Sequence, residues 1–421
     1  MRVDVLQFRT EVLKFYGSSQ SETEELLLYN QNAFTHSSID NTKTLLQVMS
    51  AVAPEPYVEA WRQYEHEAQV LGVATALRQR LIQLQFPIQA GISETVGYQT
   101  ATRRGILPLA SLEPTLLVSG QLKGCSFEAG DRLSLQIYPS LAGAIPVITT
   151  GSRADFITLV QALTKRNEPH SIPLSMGACM VSGYNNWDRI KKYRQEWVEQ
   201  WIEQHYHKPN ESDWNTEFKQ LIACKQLYQD RFIILSTGCY SQVSADEMGL
   251  TEPEWTAYSQ IIRLEHECTH YFTLRFLGSM RNHLLDELIA DYRGIVGAIG
   301  YYRADWFLRF VGLENYPTYR QGGRLENYRG VPPLSDSAFR GLQTLVRQAA
   351  KNLERFDQRY RESESSNEKE VAILIALTRL TLIDLAAESG EEAIASAIAQ
   401  VTQETLQGSD KVLTMRDSQP A

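Results

Sequence analysis

The chain is poor in cysteine: five residues, at 125, 179, 224, 239 and 268, odd in number, widely scattered and without a Cys-x-x-Cys pair. That usage argues against a disulfide framework and favours reduced thiols in a cytoplasm. The first residues, Met1 to Arg9, lack the apolar core of a secretory signal. A long uncharged apolar run is missing too. The most apolar late stretch, Val371 to Ala387, contains Arg379 and Asp384, so a packed helix is expected there and not a membrane span. Positive charge is in deficit: a net charge of −9 gives no general attraction to nucleic acid or an anionic membrane. The one basic cluster, Arg189 to Arg194, is followed by Glu196 and Glu199 and reads as a solvated helix face. No internal repeat is visible. A soluble protein is expected, and the oligomeric state is open.

What is present is ordinary globular material, 421 residues with 43% hydrophobic and 22% charged, enough for two or three domains. The patterning predicts an α+β fold, with short strands in the first half and a mainly helical second half. Residues 1–85 read as helical, with a Ser21-Glu-Thr-Glu24 cap and a long amphipathic stretch from Tyr57 to Leu84. From 86 to 250 the texture is mixed: strands at Thr115–Val118, around Leu133, Leu135 and Ile137, at Pro146–Thr149, Ser175–Val181 and Arg231–Ser236, and helices at 155–165, 186–205 and 212–229. A helical domain is expected over 251–408, interrupted by a loop from Glu314 to Pro333, and a loose tail over 409–421. The stripe Trp187, Ile190, Trp197, Trp201 reads as core packing, and His205 with His207 as incidental.

The chemistry concentrates in His266-Glu267-Cys268-Thr269-His270. On a helix each residue turns about 100°, so the two imidazoles lie about 40° apart around the axis and roughly 6 Å along it, an arrangement that grips one metal ion. Glu267 lies at the edge of that face, placed to take a proton from a metal-bound water. Cys268 faces away and reads as core.

A third ligand is needed, and Glu287 and Asp291 lie downstream, four apart on one face of a second apolar helix. Between the helices, Gly278 reads as a C-cap and Asn282 as an N-cap. The midpoint between 270 and 287 coincides with that between 266 and 291, at the glycine turn. A chain folded back there brings Glu287 level with His270 and Asp291 level with His266. One carboxylate can then complete a His₂Glu site while the other accepts the ring N–H of His266.

These five residues, His266, Glu267, His270, Glu287 and Asp291, resemble the gluzincin group of zinc metallopeptidases, the thermolysin-like superfamily, marked by HExxH followed by ExxxD. The resemblance covers roughly forty residues. It implies Zn²⁺ held by His266, His270 and Glu287, Glu267 as general base, Asp291 supporting a ligand from behind, and a peptide or other amide as substrate. It also implies that a strand ahead of the helix, here Arg231–Ser236, pairs with extended substrate, the alternative being a plain core strand. The group's downstream oxyanion-steadying Tyr or His is not marked by a motif. The loop Tyr319–Arg329 offers Tyr328 or Tyr319 for that role and Arg324 for a substrate carboxylate, against an ordinary surface loop.

The simpler readings are two buried hydrogen-bonded histidines, a Glu267–Arg263 ion pair, Asp291 as an exposed helix acid, and His283 as a cap. Two rival functions stay open. His₂Glu also suits non-haem Fe(II), as in an oxygenase or peptide-modifying enzyme, and a metal can staple two helices without catalysis.

Overall fold

The computed structural model describes residues 2–31, 34, 54–105, 117–118, 121–122, 124–278, 283–360 and 366–416. The fold is α+β, with a small mixed sheet in the first half and a mainly helical second half. The chain divides into two compact units. One joins residues 1–53 to 239–421, and the other is the intervening stretch 54–238. The expected divisions at 85/86 and 250/251 fall inside these units, for reasons visible in the packing.

The first unit opens with α1 (Arg2–Phe15) and α2 (Gln20–Tyr29), the latter started by a capping box between Ser19 and Glu22. Both helices bind distant parts of the chain. Arg9 pairs with Asp384 through two hydrogen bonds of 2.9 and 2.7 Å, and the Tyr16 hydroxyl donates to the carbonyl of Ala386. The N-terminal helices thus belong with the C-terminal ones and not with the rest of the first 85 residues.

In the second unit the amphipathic stretch from Tyr57 is two helices, α3 (Val58–Leu71) and α4 (Val73–Arg80). They are broken at Gly72, which takes a φ of +78°. α5 (Val96–Arg104) follows, then the short pair β1 (Leu117–Val118) and β2 (Gln121–Leu122). The rest of the expected 115–118 strand lies outside the described residues. A four-stranded sheet is made by β3 (Ser134–Ser140), β4 (Gly143–Thr149), β5 (Ala178–Asn185) and β6 (Gln229–Leu235), in the order β3-β4-β6-β5. Helices α6 (Arg153–Thr164), α7 (Trp187–His205) and α8 (Glu211–Ala223) connect them.

Trp61, Tyr64, Phe156, Phe232 and Ile234 lie in the core of this unit, so α3 is part of the sheet domain. Trp61 Nε1 donates to the fully buried Asp230 at 2.8 Å, and Asn186 donates to the same carboxylate at 2.7 Å. Asn186 also caps α7, which follows β5 directly. The helix expected over 212–229 stops at Ala223, and Gln229 already belongs to β6. There the chain continues into a central strand whose partners are long-range. β6 is hydrogen-bonded to β4 on one side and β5 on the other, and is therefore the plain core strand of the two readings, with no edge left for substrate.

The first unit resumes with α9 (Glu252–Leu277) and α10 (Leu284–Ile299), an antiparallel hairpin. α9 begins at a Thr251/Glu254 capping box and ends at Gly278 in the left-handed conformation. The N-cap expected at Asn282 lies outside the described residues. His283 is the residue preceding α10, and its Nδ1 accepts the Leu285 N–H at 3.1 Å. The longer helices that remain are α11 (Ala304–Val311), α12 (Asp336–Tyr360), α13 (Asn367–Thr378) and α14 (Gly390–Arg416), the last extending past the expected helix end near Gly408. No helix among the described residues is long and apolar enough to cross a membrane.

Candidate metal centre

Two helices can bring ligands together only if their backbones approach closely, and α10 achieves this with glycine. A Cβ on Gly294 would lie 2.8 Å from the carbonyl oxygen of Ile262, and one on Gly297 would lie 2.8 Å from Cγ of Glu265. Four residues past Ile262 stands His266, and one turn before Gly294 stands Asp291, so the contact sets the spacing of the site itself.

At this crossing His266 Nε2 and His270 Nε2 are 3.0 Å apart. The Glu287 carboxylate reaches to 3.6 Å from the first and 3.5 Å from the second. All three side chains are buried. A tetrahedral ion with bonds of about 2.0–2.1 Å holds its ligands about 3.3 Å from one another, so the three distances bracket an edge length suited to zinc. Asp291, fully buried, accepts from His266 Nδ1 at 2.8 Å, which puts the ring proton on Nδ1 and leaves the Nε2 lone pair facing its neighbours. His270 Nδ1 faces Asp286 Oδ1 at 3.4 Å. Each imidazole therefore has a carboxylate behind it.

The charges agree with a dication. Three carboxylates are enclosed here: Glu287 and Asp291 face the Arg324 guanidinium and Asp286 faces His270, so with both imidazoles neutral, as ligands are, two formal negative charges remain. Burial opposes ionisation of Glu287, but His270, His266 and Arg324 hold its carboxyl far below the usual range. Burial likewise opposes ionisation of Asp291, and Arg324 and His266 outweigh it. For the His270 imidazole, burial favours the neutral form, but Asp286 and Glu287 raise its pKa well above the ordinary value.

Glu267 is half-buried on α9, next to His266 in sequence. Arg263 is occupied elsewhere: it lies over the ring of Tyr240 and donates to the carbonyl of Cys239 at 3.4 Å. Cys268 is buried, and burial raises its thiol pKa strongly, in keeping with a core position. His283 caps α10 and stacks on Tyr29 at 4.5 Å.

The loop after α11 differs from its expected role. Arg324 donates to Asp291, to the Tyr240 hydroxyl at 3.0 Å and to Ser241 Oγ at 3.0 Å, so its guanidinium is bound within the site and not extended toward a substrate carboxylate. Tyr319 is tied into its own loop, donating to the Gly323 carbonyl at 2.6 Å, which removes it as an oxyanion donor. Tyr328 is buried beside Glu287, and burial raises its hydroxyl pKa strongly.

Three contributors were not anticipated. Asp286 had a signal, since it sits one residue from the mirror register that picks out Glu287. Tyr240 and Ser241 had none, because a loop far upstream of the motif reaches the site only through tertiary packing.

The fold and site together define an α+β protein with a buried His-His-Glu cluster in a helical hairpin. Residues 11–389 match the model of a family of unknown function, DUF7005, and the chain belongs to that family. No curated protein and no solved structure matches it.

Proposed function

We propose that the protein is a zinc-dependent hydrolase, a metallopeptidase with a centre of the gluzincin kind, cleaving an amide bond in a peptide substrate. The observation that carries this reading is the buried cluster in which His266 Nε2 and His270 Nε2 lie 3.0 Å apart and the two Glu287 oxygens reach to 3.6 and 3.5 Å of them, with two formal negative charges in excess around it. His266, His270 and Glu287 would hold the ion. Bound there, zinc would polarise a scissile carbonyl and acidify the attacking water.

The chain's own groups do the rest. Glu267, half-buried beside the ligands, would accept the water's proton on its carboxylate and deliver it to the leaving nitrogen. The Tyr328 hydroxyl, at the Glu287 side of the site, would donate to the oxygen that gains charge. Asp291 and Asp286 fix the ring orientations of His266 and His270. Five cysteines, none of them in a disulfide, support work in the cytoplasm.

The test is metal quantification followed by a peptide-library cleavage screen, on the wild type and Glu267→Gln. One zinc per chain in both proteins is expected, with turnover falling at least ~100-fold in the variant. Iron in place of zinc after anaerobic purification, or undiminished cleavage by Glu267→Gln, would refute the mechanism.

A further inference from the structure

The turn before α9 is strained. Ser241 and Gln242, neither of them glycine, take φ of 51° and 60° in succession. Side chains adopt this left-handed conformation only where the surroundings impose it. Here they do so at several points. The N–H of Tyr240 donates to the buried Ser259 Oγ at 3.0 Å, and its ring packs edge-on against Phe310 at 4.9 Å. Arg324 grips the two successive residues, through the Tyr240 hydroxyl and Ser241 Oγ. The result is a buried hydroxyl 2.6 Å from Asp291 Oδ1 and 2.9 Å from His266 Nδ1.

We propose that Tyr240 is a positioning residue of the metal centre, its hydroxyl locking the Asp291–His266 pair into ligand orientation. The hydroxyl has one proton, which it gives to Asp291, and its oxygen accepts from Arg324. Asp291 Oδ1 therefore receives from His266 and Tyr240 together, while Oδ2 is taken by Arg324. With three donors holding its two oxygens, the carboxylate is kept from swinging, and the imidazole that follows it is kept from turning. Without the hydroxyl, one of the three restraints on Asp291 is gone, and the ring of His266 gains freedom about its side-chain torsions. The strained turn and Arg324 thus hold Tyr240, and Tyr240 acts on the ion through Asp291 and His266 without being a ligand. This inference rests on the reading of His266 as a metal ligand.

The experiment uses full-length wild type, Tyr240→Phe and, as a control, Tyr98→Phe, which removes a buried tyrosine hydrogen bond to Asn167 in the other unit. Zinc affinity is measured by chelator competition, and the visible absorption of the Co²⁺-loaded protein reports ligand geometry. Tyr240→Phe should bind zinc ~10-fold more weakly and shift the cobalt bands, while Tyr98→Phe changes neither. If Tyr240→Phe fails to fold, Arg324→Lys carries the test. It keeps the charge but cannot bridge Tyr240, Ser241 and Asp291 at once, and it should weaken zinc binding several-fold with a band shift. Wild-type affinity and spectrum in the folded variant would overturn the positioning role, as would an equal loss in Tyr98→Phe. A wild type that takes up neither ion would instead sink the metal reading itself.

Discussion

Replacing Glu287 with glutamine keeps the side chain's volume and removes its charge, which makes it the sharpest probe of the site. The carboxylate lies within 3.6 Å of both imidazole nitrogens and of the Arg324 guanidinium. Removing one partner from a buried charged set costs about 3–5 kcal/mol. At 1.4 kcal/mol per factor of ten, zinc affinity should fall by roughly two to three and a half powers of ten. At free zinc a thousandfold above the wild-type Kd, binding stabilises the fold by about 4 kcal/mol, and the variant would lose about 3–4 kcal/mol of that. For a unit of this size each kcal/mol moves Tm by roughly 2–4 °C. The zinc-induced rise in Tm should therefore shrink by roughly 6–16 °C, read by calorimetry of chelator-stripped protein with and without added zinc. Elemental analysis of the same samples gives the stoichiometry. One zinc per chain and an undiminished rise in Glu287→Gln would mean that the third ligand is elsewhere.

Two further outcomes follow from the geometry. In the metal-free protein His270 holds its proton to above the usual imidazole range, because Asp286 and Glu287 outweigh burial. That proton must leave on metal binding, so zinc affinity should decline as pH falls through the raised value, by up to about tenfold per pH unit. Calorimetric titration near neutral pH in buffers of different ionisation heat should show proton release, and a buffer-independent heat would contradict it. At Gly294, an added methyl meets the backbone carbonyl of Ile262 and has nowhere to go. Gly294→Ala should cost about 1–3 kcal/mol and weaken zinc binding by prising α9 from α10; unchanged melting and affinity would show slack at the crossing.

The helical hairpin was legible in the amino-acid sequence because its determinants are local. Thr251 with Glu254 starts one helix, Gly278 ends it, and two four-residue spacings in mirror register point the same way. The α+β class was legible from periodicity for the same reason. What could not be read depends on distant partners. β6 looks like any short apolar strand, and only its two neighbours in the sheet decide that it is interior. Arg324 in a glycine-rich loop suggests an exposed hand for substrate, and only the fold reveals that Asp291 is there to take it. The limits of the units were hidden likewise, since Arg9 gives no hint that its carboxylate lies near the far end of the chain.

That last pairing has a temporal consequence. Tyr29 stacks on His283, offers its carbonyl to His283 Nε2 at 3.1 Å and donates its hydroxyl to the Tyr328 carbonyl at 2.9 Å, across 254 and 299 residues of chain. At a ribosomal pace of about 5–20 residues per second, the first helices must wait roughly 13–50 s for the partner that caps α10. Arg9 waits longer still, across 375 residues to Asp384. Val12, Leu13 and Leu26, buried in the folded chain, spend that interval uncovered. Nascent chains of this protein are thus exposed to holdases at their beginning, while the hairpin that carries His266 and Glu287 is still to be made.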